Sequence, residues 1–436
     1  MPYQAPTGTA DLLPEQAWRW DAIQRQAASV FSRYGYQLID TPIFEQLDVF
    51  VRGIGEATDV VGKEMYLAFS QHAVEAIAAG QAPKAKDTLA LRPEQTAGVA
   101  RAVVQHNLVP PGGAAIKLWY AGSMFRHERP QKGRLREFHQ IGTECLGAAE
   151  PSADAEVILM LMDFFEGLGI PRASMRLLVN SMGDDACRPA YRQVVREFIL
   201  AHADGLCPEC VRRADSNPLR AFDCKNPDCQ AVLAAAPLIT DSLCPQCAEH
   251  YATVRQLLTE AGCDFEQAPR LVRGLDYYTR TVFEVQVTDG LGSQNAIGGG
   301  GRYDKLLAEF GGKPTPGLGF AVGFERICLA LDAAGVAAPV LPLPEVFVAA
   351  VDTQARAAAF ALAGQLRSAG LRAELDHQNR SLKSQLKAAD KSGASWVAIL
   401  GPDELAAGQL TLRHLASHEE QRTTTQQAIE LIRGER

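Results

Sequence analysis

Residues 122–140 read GSMFRHERPQKGRLREFHQ, and this stretch decides the fold. Its central part holds five basic residues and one acidic residue, a local net charge of +4. Strand-like sequence lies on both sides, at 116–120 and at 137–144. A strand, a polar loop and a second strand predict a β-hairpin. We therefore expect Arg126 and Arg134, one on each arm, to point into the same cleft.

The residue types in and beyond this hairpin suit a nucleotide. A planar guanidinium binds phosphate through two parallel charge-assisted hydrogen bonds, and the face of Phe138 offers a stacking surface for a base. Gly317, Gly319 and Gly323 have no side chains, so a flat ligand can approach the backbone, and Arg326 follows in the next helix. The sequence lacks a Gly-x-x-x-x-Gly-Lys-Ser/Thr phosphate loop and matches a dinucleotide fingerprint only loosely. Each glycine cluster, taken alone, equally fits a turn or tight packing.

Length and composition set the general class of protein. The 436 residues predict two or three domains, because one hydrophobic core rarely grows beyond about 250–300 residues. Apolar residues make up 47% and charged residues 22%, which is typical of a soluble globular protein. No apolar run reaches the roughly 18 residues of a membrane helix, and no signal peptide is recognisable, so we expect a cytoplasmic location. The net charge of −8 argues against indiscriminate nucleic-acid binding but leaves room for a local basic patch.

Changes of pattern along the chain predict its domain organisation. Residues 1–336 are expected to form a catalytic domain, interrupted at 181–264 by a partly helical insertion that holds clustered cysteines. Within this domain, 298–301 is predicted to be a glycine-rich turn. A proline-rich apolar stretch at 337–344 predicts a linker. Residues 345–436 alternate strand and helix, which predicts an α/β domain with parallel crossovers.

Several stretches of the chain resemble a known family. Residues 122–140 resemble motif 2 of the class II aminoacyl-tRNA synthetases, 317–326 resembles motif 3, and 35–44 resembles motif 1, which builds the dimer interface of that class. RGLDYYTRTVFE at 273–284 and GGGRYD at 299–304 are similar to signatures of histidyl-tRNA synthetases. The resemblance covers nearly the whole chain. It implies an α+β catalytic domain with an antiparallel sheet (the class II synthetase fold) and a mostly helical insertion, plus a C-terminal α/β anticodon-binding domain.

This resemblance also implies a reaction. ATP activates L-histidine as histidyl-adenylate, and the histidyl group is transferred to tRNA(His), with release of AMP and diphosphate. The histidine carboxylate attacks the α-phosphate in line, so two anions must meet and their charge must be neutralised. Arg273 is expected to do this at the place where other class II enzymes hold a metal ion. Mg²⁺ is expected to accompany the remaining phosphates, and no protein nucleophile is required.

Individual residues are assigned by the same resemblance. The predicted ATP contacts are Arg126, Glu128, Arg134, Phe138 and Arg326. The predicted histidine contacts are Glu94, Gln95, Thr96, Gln140, Glu144, Arg273, Tyr277 and Tyr278. The predicted catalytic residues are Arg126, Arg273 and Arg326. Glu144 and Tyr278 are expected to form hydrogen bonds with the two imidazole nitrogens. An amino acid that lacks these ring nitrogens would leave buried polar groups of the protein unpaired.

Contacts with tRNA(His) and with a second subunit are implied in the same way. Arg129 and Gln131 are candidates for the terminal base pair of the acceptor stem, with a backbone phosphate contact as the alternative for Arg129. Lys383, Lys387 and Lys391 share one helix face of the anticodon-binding domain, where a solvated lysine face is the ordinary interpretation. The expectation of a homodimer rests on the resemblance alone.

Six of the ten cysteines lie between Cys207 and Cys247, within the insertion. Two Cys-Pro-x-Cys turns, Cys207/Cys210 and Cys244/Cys247, together offer four thiolates, which suits one tetrahedral zinc ion. Cys224 and Cys229 lie between these turns at a looser spacing, and six ligands are too many for one such site. Two interpretations therefore stay open, a structural zinc ion or reduced cysteines without metal.

Two other functions are alternatives to ligation of histidine to tRNA. A paralogous, non-catalytic regulatory subunit of the first enzyme of histidine biosynthesis is expected to lack the anticodon-binding domain and to lose the catalytic arginines. The present chain keeps both. A class II synthetase for glycine, proline or threonine shares the C-terminal domain type, but the stretch at 273–284 argues against it.

Overall fold

A computed structural model of the chain describes residues 3–55, 58, 60–109, 113–131, 133–288, 291–292 and 295–435. The chain divides into two compact units, Met1–Pro339 and Val340–Arg436, and the division falls within the predicted linker. No helix in the described part of the chain combines the length and the apolar character that a membrane crossing needs.

The first unit mixes helices and strands along its whole length. Its helices are α1 (Pro14–Arg33), α2 (Leu47–Ile54), α3 (Gln71–Ala78), α4 (Thr96–Gln105), α5 (Pro151–Gly167), α6 (Arg188–Ala201), α7 (Pro208–Ser216), α8 (Pro227–Leu233), α9 (Pro245–Glu260), α10 (Leu306–Glu309) and α11 (Phe324–Ala333). Its strands are β1 (Gln37–Leu38), β2 (Phe44–Gln46), β3 (Leu67–Ala68), β4 (Leu89–Leu91), β5 (Ile116–Phe125), β6 (Glu137–Leu146), β7 (Met175–Ser181), β8 (Glu266–Gln267), β9 (Thr279–Val287), β10 (Ala296–Arg302) and β11 (Gly317–Gly323). Strands β2, β4 and β3 form a small separate sheet.

Over the described residues, eight strands form a large central sheet in the order β1-β5-β6-β11-β10-β9-β7-β8. The six inner strands pair in antiparallel fashion, whereas β1 and β8 at the edges pair in parallel with their neighbours. The predicted hairpin is confirmed as β5 and β6, and at its base the backbone N–H of Arg126 donates to the carbonyl oxygen of Arg136 at 2.9 Å. Successive side chains of a strand point to opposite faces. Ile141 therefore lies in the core, while Gln140 and Glu144 face a cavity on the other side.

Helices α1, α5 and α9 cover the apolar face of this sheet. Buried residues of α1, such as Ile23, Ala27 and Val30, recur about one helical turn apart, which gives the helix a single apolar face. Helix α5 is apolar on most sides because it packs against the sheet and both other helices, and its Phe164 and Phe165 are fully buried. The opposite face of the sheet is left for polar side chains and ligands.

The prediction of a turn at 298–301 is wrong, because these four glycines lie inside strand β10, between β9 and β11. Glycine favours turns by its backbone freedom, but here it is required for its lack of a side chain. A Cβ atom on Gly300 would overlap the carbonyl oxygen of Gly319 on the neighbouring strand. The tertiary neighbours, rather than the local propensity of glycine, therefore determine the structure of this tract.

The cysteine-rich segment folds as helices α6 to α9 and short 3-10 turns between β7 and β8. It has a small core of its own, in which Tyr191, Val195, Leu219 and Leu233 are buried. Helix α9 also contributes Val254 to the main core, so the helical segment is joined to the central sheet.

The second unit is a smaller sheet with helices. Its strands are β12 (Val346–Ala350), β13 (Ala373–Leu375), β14 (Trp396–Leu400), β15 (Leu410–His414) and β16 (Glu420–Thr423), and its helices are α12 (Arg356–Ser368), α13 (Leu382–Ser392), α14 (Pro402–Ala407) and α15 (Thr425–Gly434). The strand order is β13-β12-β14-β15-β16. The first three strands are parallel, as the α/β pattern predicts, while β15 and β16 are added in antiparallel fashion. The unit as a whole has a mixed sheet.

A buried ion pair connects the central sheet to its helices. The Nε of Arg302, on β10, lies 3.2 Å from Oδ1 of Asp154, on α5, and both side chains are 1% exposed. His250 of α9 lies 3.4 Å from the same carboxylate. Burial acts to raise the pKa of Asp154, but the nearby His250 and the charge of Arg302 outweigh it, and the pKa is lowered. The carboxylate is thus held ionised among three elements of the fold.

We expect Asp154→Ala to lower the free energy of unfolding by about 3–5 kcal/mol, because the buried guanidinium of Arg302 would lose its counter-charge. The midpoint of urea unfolding, followed by tryptophan fluorescence, measures this. The control is Asp332→Ala, which breaks the pair of Asp332 with Arg19 at the surface, where Asp332 is 60% exposed. That loss should be about 0–1 kcal/mol. Equal shifts for the two variants would contradict the role given to the buried pair.

Candidate active site

A cavity of about 480 Å³ opens on the face of the central sheet opposite α1 and α5, a volume in the usual range for a small-molecule site. It brings together every residue predicted to contact ATP and every residue predicted to contact histidine except Gln95. These lining residues are Glu94, Thr96, Arg126, Glu128, Arg134, Phe138, Gln140, Glu144, Arg273, Tyr277, Tyr278 and Arg326. Arg126, Arg273 and Arg326, which stand on or beside different strands, therefore converge on one space.

The carboxylate of Glu144, on β6, lies at the deep end of this cavity and is 1% exposed. Three hydroxyl groups donate to it: that of Thr96 at 2.7 Å, that of Tyr120 at 3.2 Å and that of Tyr303. Burial raises the pKa of Glu144 to about 8, although the hydrogen bonds act in the opposite direction. The raised pKa favours the protonated form of this carboxyl group, which can share its proton with a basic ligand.

Tyr120 and Tyr303 are site residues that the sequence interpretation did not assign to the pocket. The alternation of β5 carried a usable signal, because Trp119 belongs to the core and its neighbour Tyr120 must then face the cavity. Tyr303 directly follows β10, and a turn at 298–301 would not have predicted which side of the sheet it faces. Both tyrosines fix the orientation of the Glu144 carboxylate.

Glu94 has two roles in the structure. Its carboxylate accepts hydrogen bonds from the backbone N–H groups of Thr96 and Ala97, at 2.8 and 2.9 Å, at the start of α4. It is also 4% exposed and lines the cavity. Burial raises its pKa. The first turn of α4 is thereby fixed in a position that presents Thr96 to Glu144.

Arg273 is held against the wall of the cavity by a carboxylate. Its Nη1 atom lies 2.9 Å from Oε2 of Glu284, on β9, and its guanidinium carbon lies 5.9 Å from the ring centre of Tyr278. Its Nε atom is buried and has no hydrogen-bond partner among the described residues, and the same is true of Oε1 of Gln140. Buried polar atoms are almost always paired, so these two atoms mark places where a ligand is expected. Gly299 makes room for Arg273, since a Cβ atom there would lie 2.7 Å from its Nη1.

The remaining arginines line the mouth of the cavity, each fixed by an oxygen atom. Arg126 donates to the carbonyl oxygen of Pro93 at 2.9 Å, and its guanidinium lies 5.2 Å from the ring centre of Phe138. The Nε of Arg134 lies 2.6 Å from Glu128. Arg326 donates to the carbonyl oxygen of Ala296 at 2.7 Å.

These arginines are close enough to affect one another. Burial lowers the pKa of Arg326, and the positive charges of Arg134 and Arg126 lower it further. Like charges confined in this way repel one another, and a polyanion placed between them removes the repulsion. The mouth of the cavity thus has the electrostatic character of a phosphate site.

Three of the predicted contact residues lie outside the cavity. Gln95 is 1% exposed, and neither polar atom of its side chain has a hydrogen-bond partner among the described residues. Its Oε1 atom lies near Gly122 of β5, and the residue is not among those that line the cavity. Arg129 and Gln131 are exposed on the loop between β5 and β6, where Gln131 forms an isolated backbone bridge with Arg134.

The prediction of one metal site at Cys207, Cys210, Cys244 and Cys247 has to be corrected. The structure separates the two Cys-Pro-x-Cys turns and gives each its own neighbours. The first turn lies with Cys224 and Cys229, and the second lies with Asp184 and Cys187. The packing of helices α6 to α9, rather than the equal spacing of the turns, decides which cysteines meet.

Comparisons with known proteins agree with this geometry. Residues 8–327 match the family model described as Histidyl-tRNA synthetase, and residues 345–435 match the model described as Anticodon binding domain. The chain is 46% identical over 410 residues to the histidine–tRNA ligase of Moorella thermoacetica, covering 94% of this chain and 93% of that one. It is 44% identical over 432 residues to the histidine–tRNA ligase of Desulfitobacterium hafniense, covering 99% and 98%.

The structure is also similar to that of a solved relative. Its TM-score against the crystal structure of apo S. aureus histidyl-tRNA synthetase is 0.80, at 31% identity, with 99% of this chain and 100% of that chain covered. The match extends over the catalytic unit with its large sheet and over the separate C-terminal domain. On the cavity, the two-unit architecture and these similarities, the chain belongs to the histidyl-tRNA synthetase family and has the class II synthetase fold.

Proposed function

We propose that the protein is a histidine–tRNA ligase, which activates L-histidine with ATP as histidyl-adenylate and transfers the histidyl group to tRNA(His). One observation carries the proposal: a single cavity joins a cationic mouth to a buried carboxylate that can share a proton with imidazole. The first part suits a triphosphate, and the second suits the one amino acid whose ring titrates near neutral pH. AMP and diphosphate are released.

Activation brings the histidine carboxylate to the α-phosphate of ATP, so the barrier is largely electrostatic. Arg273, held by Glu284, is positioned to neutralise the charge that builds up between the two anions. Arg126, Arg134 and Arg326 hold the phosphates, and the adenine ring stacks between Phe138 and Arg326. Mg²⁺ accompanies the other phosphates in our proposal, since such ions are bound largely through substrate oxygens and water. The lining carboxylates Glu128 and Glu284 are of the ligand type that it prefers.

Specificity for histidine is proposed to come from the deep end of the cavity. Glu144 and Tyr278 bond the two imidazole nitrogens, while Glu94, Thr96 and Gln140 hold the ammonium and carboxylate groups. An amino acid of similar size without a polar ring would leave these buried groups unpaired, which is strongly unfavourable. Nothing in this proposal depends on a metal ion at the cysteines of the insertion.

Contacts with tRNA and between subunits complete the proposal. The exposed loop with Arg129 and Gln131 is proposed to meet the acceptor stem, and residues 345–436 to bind the anticodon. A homodimer is supported by exposed apolar side chains in the segment that resembles motif 1: Leu38 is 61% exposed, Ile43 49% and Phe44 55%. Such side chains favour burial against a partner. A cytoplasmic location belongs to the same proposal, as the ordinary place for an enzyme of translation.

The function is tested by histidine-dependent exchange of pyrophosphate into ATP. We expect exchange with L-histidine and none with glycine, proline or threonine. Absence of any exchange would instead support a non-catalytic regulatory subunit. Exchange with another amino acid would support a different class II synthetase.

We expect Arg273→Ala to reduce the rate of this exchange about 10²–10³-fold, the usual cost of removing one group that stabilises transition-state charge. Its ATP affinity, measured by calorimetry, should change little, because Arg126, Arg134 and Arg326 remain. The control is Arg176→Ala, on the same sheet, where Arg176 forms an exposed pair with Glu266 at 2.6 Å. If Arg273→Ala lost ATP affinity and exchange to the same extent, its assigned role would be incorrect.

Histidine binding is expected to be strongest between about pH 6.5, the pKa of a free imidazole, and about pH 8, the raised pKa of Glu144. In this range the complex holds one proton, which the empty site already carries on Glu144. At lower pH both partners are protonated and one proton must be released, so affinity falls as pH drops. At higher pH neither is protonated and one must be taken up, so affinity falls as pH rises. Each limb should approach about tenfold per pH unit.

The matched variant for this pH profile is Glu144→Gln, which removes the titrating group and should flatten the alkaline limb of the histidine dissociation constant. The ammonium group of histidine titrates in both proteins, so the difference between their profiles isolates Glu144. Identical alkaline limbs in the variant and the parent protein would exclude this carboxyl as the proton carrier.

We expect Phe44→Asp to convert a dimer of the 47.1 kDa chain into monomers in sedimentation experiments, because a charge would replace an apolar contact. The control, Val194→Asp on α6, alters a side chain that is 41% exposed in the insertion and should leave the mass unchanged. A parent protein that sediments as a monomer would refute the assignment of this surface.

A further inference from the structure

The first of the two cysteine groups, which we name the four-thiol cluster, consists of Cys207, Cys210, Cys224 and Cys229. All four Sγ atoms lie within 4.8 Å of one another, and those of Cys207 and Cys224 are 3.9 Å apart. A tetrahedral zinc ion with Zn–S bonds of about 2.3 Å requires sulfur atoms about 3.8 Å apart. Cys210 and Cys229 are fully buried, and the other two are half-buried. The four sulfurs thus already enclose a space of the size that zinc needs.

The backbone around the four-thiol cluster is arranged as in a turn that binds a metal ion through cysteines. The N–H of Cys207 donates to Sγ of Cys229 at 3.1 Å, a bond that favours a thiolate over a thiol. Cys207 is the N-cap of α7, Cys229 lies in the first turn of α8, and Cys224 directly follows the 3-10 turn between these helices. A metal ion here would join three short elements that share only a small apolar core.

The second group, which we name the mixed cluster, consists of Asp184, Cys187, Cys244 and Cys247. Its ligand atoms also lie within 4.8 Å of one another, and Oδ1 of Asp184 is 3.7 Å from the sulfurs of Cys187 and of Cys244. Zinc bound to both oxygen and sulfur, at about 2.0–2.2 and 2.3 Å, gives an edge of about 3.5–3.7 Å. Oδ2 of the same aspartate lies 3.4 Å from Arg280, on β9. One oxygen is thus oriented by an outer partner while the other faces the thiols, as is usual for a ligating carboxylate.

From these two geometries we propose that the insertion binds two structural zinc ions, one in the four-thiol cluster and one in the mixed cluster. Disulfides do not account for the arrangement, because a disulfide joins two sulfurs, whereas four ligand atoms converge in each cluster. A carboxylate is also a ligand type that zinc accepts beside thiolates. Each cluster includes a pair of ligands that lie three residues apart in sequence at the start of a helix.

The two ions stabilise different parts of the protein. The four-thiol cluster stabilises the interior of the insertion. The mixed cluster connects the chain just after β7 to the start of α9, and through Arg280 it is also tied to β9. The second ion therefore fixes the insertion to the central sheet.

The test is the zinc content of full-length protein that has been purified without a metal-affinity resin and measured by mass spectrometry against protein concentration. We expect two zinc ions per chain. Cys229→Ser and Cys247→Ser should each retain one, and the double variant none. The control Cys328→Ser removes a half-buried thiol outside both clusters and should retain two.

A second measurement keeps the proposal testable where a variant fails to fold. Cobalt(II) exchanged into the parent protein should give the intense visible bands of tetrahedral thiolate coordination, with two binding steps in a titration. One zinc ion shared by both Cys-Pro-x-Cys turns, or ten free thiols and no metal in the fresh protein, would overturn the proposal. Fewer than ten titratable thiols in metal-free, denatured protein would overturn it in favour of disulfides.

Discussion

The structure depends on one electrostatic constraint: two anionic reactants must touch, so positive charge must be concentrated, and positive charges repel one another. The cavity meets this constraint by fixing each guanidinium to a separate oxygen acceptor. Arg273 is fixed by Glu284, Arg126 by the carbonyl oxygen of Pro93, and Arg326 by that of Ala296. These acceptors belong to different parts of the sheet and its flanking segments, so the arginines cannot relax apart by small side-chain movements. The fold thereby keeps the arginines close enough to repel one another, and a bound triphosphate reduces this repulsion.

The deep end of the cavity is lined by polar groups that contact Glu144. Among the described residues Glu144 has no arginine partner; it accepts hydrogen bonds instead from the hydroxyl groups of Thr96, Tyr120 and Tyr303. These donors orient the carboxyl group and favour its ionised form, but burial outweighs them and raises the pKa of Glu144. The same cavity therefore contains permanent charge at its mouth and adjustable charge at its base.

The residue types alone predicted the phosphate-binding part of this site, whereas the histidine contacts were expected only from the family resemblance. Arginines in a loop between two apolar strands predict a hairpin and an anion, and both strands of that hairpin are present. Prediction was wrong where neighbours distant in sequence decide the outcome. The glycines of β10 lie in a strand because Gly319 comes too close for any side chain. The partners of Cys207 and Cys244 are set by the packing of α6 to α9, which ligand spacing does not encode. Gln95 stands between two lining residues but does not itself line the cavity.

The strand order of the central sheet has a consequence for how the chain is made. Strand β6 lies beside β11, so Leu146 is paired with Gly317, and the whole helical insertion is synthesised between them. During translation the basic hairpin therefore leaves the ribosome long before the strand that completes its wall. Pairings between segments so distant in the chain form slowly, and an open sheet edge invites aggregation meanwhile. If the helical insertion folds early through its local contacts, it becomes compact. The two halves of the sheet are then held closer together before they pair.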